Sequence, residues 1–264
     1  MSQGIRFSKR AKEWGIFVLF LLVVPVSHAW ASFQSTPKCI KTEAMGGAGV
    51  AMPDDACALL INPSGLATLD RAELSMEYGS PIAGLQDLPL NEGHLALGIP
   101  IGRRWSVGAG GTFFRAPGLL SEYQAMGGAS VLLGPVSIGA NLNYLYHNYE
   151  IANDPVYANE IVFANGHSKG ALGLDIGLTA FVTKNLRLGF SGRNLNKPDV
   201  GLASEDPVPP IITLGLGAIT RYANFALDFE NRNDGLGLTD SNQNTWKVGM
   251  EIPLSILFFR AGYN

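Results

Sequence analysis

The chain has 264 residues, a formal net charge of −3, 32 glycines and two cysteines. Near-neutral charge with scattered Lys and Arg leaves no basic face for nucleic acid, and the glycine content is well above the average of about 7 percent. Beyond its first residues no apolar run approaches the roughly 18 needed for a spanning helix, which excludes an α-helical membrane domain.

The first segment reads as a targeting signal. Arg6, Lys9, Arg10 and Lys12 form a basic region, Trp14 to Val26 an apolar one, and Ala29-Trp30-Ala31 a small-x-small cleavage site. Residues 1–31 are therefore expected to be removed, with Ser32 or Trp30 the first mature residue; a retained anchor is the competing reading. Export places Cys39 and Cys57 in an oxidising compartment, where an isolated pair is a disulfide candidate, unpaired thiols being the alternative.

Residues 32–72 then form a compact hatch. Thr42 to Leu69 is small, apolar and glycine-rich. Gly46, Gly47 and Gly49 permit close backbone packing. Ala48, Val50, Ala51, Ala56, Ala58, Leu59 and Leu60 give a short helix-like stretch, and Asn62 before Pro63 ends it.

From Glu73 to Asn264 about eleven segments alternate with period two. In the clearest, Leu172, Leu174, Ile176, Leu178, Ala180 and Val182 share one face, and Gly173, Asp175, Gly177 and Thr179 the other. Val136, Ile138, Ala140, Leu142, Tyr144 and Tyr146 oppose Ser137, Gly139, Asn141, Asn143 and His147 in the same way. A soluble sandwich would alternate too. Segments of about nine to twelve residues, a polar face of small residues, and aromatics near segment ends (Trp105, Tyr123, Tyr222, Trp246) favour an antiparallel transmembrane β-barrel.

Connection lengths agree. Pro81–Asn91, Arg115–Ser121, Glu150–Ser168, Asn196–Pro207 and Asn231–Asn244 are read as long loops, whereas Gly102-Arg103, Gly134-Pro135, Lys184-Asn185, Arg221-Tyr222 and Pro253–Ser255 are tight turns. Short periplasmic turns and long outer loops are the habit of outer-membrane barrels. The odd strand count implies either a C-terminally incomplete barrel or a further strand within Pro155–Phe163.

The stretch MGGAGVAMPDDACALLINPSGLATL resembles the N-terminal signature of the PorV/PorQ-type outer-membrane proteins and, more distantly, that of the FadL fatty-acid transporters. The matching positions include Gly46, Gly47, Gly49, Asp54, Asp55, Ala56, Asn62, Pro63, Gly65 and Leu66, with Ser64 where Ala is usual. The resemblance implies a barrel of about fourteen strands with a hatch in its lumen. It also implies two roles. One is a passive channel for hydrophobic molecules such as fatty acids, captured by Val156, Tyr157, Ile161, Val162 and Phe163 unless these only pack the loop. The other is a component of a type IX secretion system that holds a secreted protein client. A truncated structural barrel is a further reading.

No chemistry competes with these. Met52 occupies the third glycine position of a dinucleotide fingerprint, G-x-S-x-G is missing, and His94, His147 and His167 lie far apart in sequence. Asp54-Asp55 and Asn231–Asn244 do not follow EF-hand spacing. No enzymatic activity, cofactor or metal is expected. The expected surroundings are outer-membrane lipid of a Gram-negative cell and a small apolar solute or protein client.

Overall fold

Side-chain alternation dictates a single antiparallel sheet in which each strand turns a small-residue face to one side and a Leu-rich face to the other. The computed structural model describes residues 33, 39–81, 90–157, 160–233 and 242–264. The expected signal segment and cleavage site lie outside these, as do the central parts of the Pro81–Asn91 and Asn231–Asn244 connections.

Among the described residues eleven strands pair in sequence order, every neighbour antiparallel. They are β1 (Glu73–Gly79), β2 (Asn91–Ile101), β3 (Trp105–Ala116), β4 (Leu120–Leu133), β5 (Val136–Asn148), β6 (Ser168–Phe181), β7 (Leu186–Arg193), β8 (Ile211–Ile219), β9 (Asn224–Asn233), β10 (Asn242–Leu254) and β11 (Leu257–Tyr263). The sheet wraps around the N-terminal segment, which touches the inner face of strands from β2 to β11. This is the fold of an outer-membrane β-barrel with a hatch inside.

Face assignment follows the alternation. Leu172, Leu174 and Leu178 are exposed on the outside, while Gly173, Asp175, Gly177 and Thr179 are buried inside. In β5, Ser137, Gly139, Asn141, Asn143 and His147 are the buried set, joined by Leu145. An outer surface of exposed Leu, Ile, Val and Phe around a polar, small-residue interior inverts the soluble pattern and is suited to lipid contact. Trp105 and Tyr222 are exposed at the short-turn rim, and Tyr78, Tyr123 and Tyr263 at the opposite rim.

Two connections depart from expectation. Arg115–Ser121 is no long loop, because β3 runs to Ala116 and β4 starts at Leu120. Gly118 adopts φ +77 and lets the chain reverse in three residues, and Glu150 clamps this turn by accepting from Gly118 N (2.9 Å) and Ser121 Oγ (2.8 Å). Pro155–Phe163 holds no strand among its described residues. It forms turns and a 3-10 helix at Ile161–Phe163, since Pro155 and the lack of alternation give no ladder to join.

Candidate functional site

Among its described residues the hatch has three short elements: a helix at Ile40–Glu43, a helix at Ala58–Ile61 and a 3-10 helix at Pro63–Thr68. The helix is shorter than the apolar run Ala48–Leu60 suggests. Pro53 and the Asp54-Asp55 pair break it, and residues 44–57 run as turns and irregular chain. Cys39 and Cys57 are joined by a disulfide, with Cα atoms 6.3 Å apart, so the two hatch helices are tied together at their starts. Removing the bridge with Cys39→Ser/Cys57→Ser should cost the hatch about 3 kcal/mol, raising amide exchange at Ala58–Ile61 by about two orders of magnitude while the strands stay protected.

Asn62 is the fastener. Its backbone is extended (φ −154, ψ 100), which ends the helix and starts the 3-10 helix. Its carboxamide oxygen accepts from Ser64 N (3.2 Å) and Ser64 Oγ (2.8 Å), capping that 3-10 helix. Its Nδ2 donates to Val50 O (2.8 Å), to Leu178 O (3.2 Å) and to Thr179 Oγ1 (3.3 Å). One fully buried side chain therefore joins both halves of the hatch to β6.

The wall supplies further anchors. Asn141 Nδ2 donates to Leu59 O (2.7 Å) and Ser191 Oγ to Ile61 O (2.7 Å). Asp228, on the inner face of β9, accepts from the amides of Gly49 (2.8 Å) and Val50 (3.0 Å). Lys41 forms an ion pair with Asp54 and lies 3.9 Å from Asp55. Burial pushes the Asp55 carboxyl up, against the opposing pull of Lys41.

Between these anchors the wall is bare. Gly98, Gly139, Gly177, Gly189, Gly217, Gly249 and Gly262 meet the hatch so closely that an added methyl group at any of them would collide with it. At Gly189 that methyl would sit 2.5 Å from Val50 O, and at Gly139 it would overlap the main chain of Pro63 and Ser64. Gly139 pairs with Gly177, and Gly249 with Gly262, so the belt is continuous over neighbouring strands there. The hatch contributes its own close approaches: Gly46 (φ +65) abuts the backbone of Tyr263, Gly65 that of Pro53, and Gly47 (φ +76) the Lys247 side chain.

Toward the long-loop rim the lumen holds a cavity of about 520 Å³. Phe33, Leu60, Phe114, Met126 and Leu145 supply its apolar border. Its charged lining is mainly acidic: Glu43, Glu77, Glu92, Glu122 and Asp175, against Arg193 and His94. Glu122 accepts from Phe33 N (2.6 Å), and Asp175 from Asn143 Nδ2 (2.5 Å) and Asn194 N (2.9 Å). Residues 194–210 fold back inward, burying Val200 and Val208 against Leu145. Lys169 Nζ holds this segment through Asp199 (2.8 Å).

Partial burial opposes ionisation of Asp199, but Lys169 and the amides of Asp206 and Gly201 more than offset it and hold the carboxyl below its ordinary range. A depressed folded value means the tie is fully present above the usual carboxylate range and is lost as pH falls through the depressed value. Carboxyl NMR titration should accordingly give Asp199 a midpoint below the reference of about 3.9, and Lys169→Met should move it upward.

Among the loop apolars, Val156, Tyr157, Ile161 and Val162 are exposed. Phe163 instead packs on Tyr149 (ring centroids 5.9 Å), which meets His147 edge-on at 4.9 Å. The structure thus brings Gly46, Gly47, Gly49, Asp54, Asp55, Asn62, Pro63 and Gly65 into one hatch with the cysteines, and keeps the loop residues apart at the rim. Sequence reasoning missed Asn141, Thr179, Ser191 and Asp228 as hatch anchors. Their available signal was a hydrogen-bonding side chain two residues after a Gly or Ala on the same strand face: Gly139 before Asn141, Gly177 before Thr179, Gly189 before Ser191 and Ala226 before Asp228.

The fold is similar to that of several solved structures. CymD, a monoaromatic hydrocarbon channel, matches with TM-score 0.58 and 16% identity, over 84% of this chain and 81% of that one. The P. putida toluene transporter TodX matches with TM-score 0.57 and 16% identity, over 86% and 82%. A Pseudomonas aeruginosa FadL homologue matches with TM-score 0.56 and 13% identity, over 84% and 78%. At such identities the likeness is one of fold. No known family's sequence profile matches the chain, and no curated protein does.

Proposed function

We propose that this protein is a non-enzymatic outer-membrane conduit for hydrophobic small molecules, exported by the signal at residues 1–31 and embedded by its Leu-rich outer face. The observation that carries this reading is the cavity of about 520 Å³ above the hatch, which has room for a single-ring solute and presents aromatic and aliphatic walls. The likeness to a monoaromatic hydrocarbon channel and a toluene transporter supports the same class of cargo. The exposed Val156, Tyr157, Ile161 and Val162 are the capture surface, and the Asn62-centred hatch is the barrier to free passage.

Charge refines the cargo. Acidic side chains outnumber basic ones among the described lining residues, so an uncharged aromatic is preferred over a fatty-acid anion. The test uses vesicles whose outer leaflet is lipopolysaccharide, a slow barrier to apolar solutes, with labelled toluene and labelled fatty acid. Toluene entry faster than into protein-free vesicles, with fatty acid lagging, is the expected result; entry equal to protein-free vesicles for both solutes sinks the proposal. A secretion-system role predicts that equality together with recovery of a polypeptide client from outer-membrane extract.

A further inference from the structure

Residues 39, 57, 77 and 94 meet where the hatch touches β1 and β2. Glu77 and His94 are cross-strand partners, so their side chains share one face of the wall. Cys57 Sγ lies 3.6 Å from His94 Nε2, and His94 Nδ1 lies 3.8 Å from Glu77 Oε2. One potential ligand atom from each of Cys39, Cys57, Glu77 and His94 lies within 4.8 Å of the other three. Both cysteines and His94 are buried, and Glu77 is half-buried.

Two sulfurs, one imidazole and one carboxylate make a ligand set for a thiophilic cation of tetrahedral preference, above all Zn²⁺. With metal–sulfur bonds of about 2.3 Å and metal–nitrogen bonds of about 2.0 Å, tetrahedral ligands stand roughly 3.3–3.8 Å apart, so His94 and Glu77 need only a small approach, while the two sulfurs, once unbonded, must separate to about 3.8 Å. As described, however, the sulfurs are bonded to each other and neither is a thiolate. We propose that this corner has two alternative states: a disulfide when oxidised, and a Cys39/Cys57/His94/Glu77 zinc site when reduced.

The conversion balances. A phosphine reductant gives two electrons to the disulfide and takes up the oxygen of one water as phosphine oxide, and the two protons of that water yield two thiols. Zn²⁺ then displaces both thiol protons to solvent as the two Zn–S bonds form. Surrounding groups support the second state. Ser75 Oγ lies 3.3 Å from Cys57 Sγ and 3.1 Å from His94 Nε2, placed to donate to a thiolate, and Ile40 N donates to the Glu77 carboxylate (2.9 Å). The states differ mechanically. The disulfide ties the hatch to itself, whereas the metal would tie it to β1 and β2.

The test uses the full chain in detergent micelles with Co²⁺ as the spectroscopic probe. After phosphine reduction, one equivalent of Co²⁺ should produce thiolate-to-cobalt charge transfer and the intense visible bands of a tetrahedral centre, both abolished by one equivalent of Zn²⁺. Untreated protein should show neither. Cys39→Ser should keep about half of the charge transfer and Cys39→Ser/Cys57→Ser should lose it, and His94→Gln and Glu77→Gln should each weaken and shift the visible bands. Strand circular dichroism and heat-dependent gel mobility establish that each sample is folded. A folded, reduced wild-type protein without tetrahedral bands overturns the proposal, as would a spectrum left unchanged by both His94→Gln and Glu77→Gln.

Discussion

Asn62→Ala is expected to unfasten the hatch while leaving the sheet intact. The side chain is fully buried and makes five hydrogen bonds, to Val50, Leu178, Thr179 and twice to Ser64, none of which belongs to a strand ladder. Alanine removes them all and strands buried partners that have no water to turn to. At about 1–3 kcal/mol for each unsatisfied buried group, and with mutual reinforcement inside the network, a local loss on the order of 4 kcal/mol follows. Hydrogen exchange should show protection of residues 58–68 falling by about three orders of magnitude, with β5 and β6 unchanged. In planar bilayers the variant should conduct more ions than the wild type. Thr179→Val, which removes one wall partner and keeps the rest, should lose only about 1 kcal/mol.

Gly139→Val attacks the same joint from the wall. A side chain there would enter the space held by the main chain of Pro63 and Ser64, and main chain in a capped 3-10 helix has no rotamer by which to move aside. Overpacking of well-filled sites costs about 1–3 kcal/mol, and a rigid obstacle puts this one at the upper end. Gly127→Val is the control, since that position lies on β4's exposed face with nothing within 4 Å. The expected result is a hatch open to protease between Pro53 and Leu69 in Gly139→Val and a protected hatch in Gly127→Val. Equal protection in both would mean that the hatch tolerates a shift of more than a methyl radius.

Much of the sheet was legible because the period-two rule leaves little freedom: once Leu172, Leu174 and Leu178 are placed outside, Gly173, Asp175 and Gly177 must point inward. The hatch was legible by place more than by shape. Small apolar residues from Ala48 to Leu60 suit a helix by composition, yet Pro53 and the paired aspartates confine it to Ala58–Ile61. Cys39 and Cys57 could be named as candidates, but not the company they keep, since Glu77 and His94 are brought in by strand pairing far along the chain. The cavity was not readable at all. Its lining is gathered from the hatch and from β1 to β8, residues that only the pairing of the strands brings together. The turn at Pro117–Leu119 is shorter than composition suggests, because Arg115 and Ser121 look like loop residues and yet sit on paired strand ends.

Because Gly139, Gly189 and Gly262 face peptide groups of the hatch rather than its side chains, the two surfaces interlock there by what each lacks. A homologue that gained a methyl at Gly189 would need a matching retreat near Val50, and no change of the Val50 side chain alone could provide it, since the carbonyl is what stands in the way. Divergence in this protein should therefore proceed freely on the lipid-facing leucines and in coupled steps along the inner seam. Grafting a foreign hatch into this barrel would be governed by backbone path first and by residue identity second.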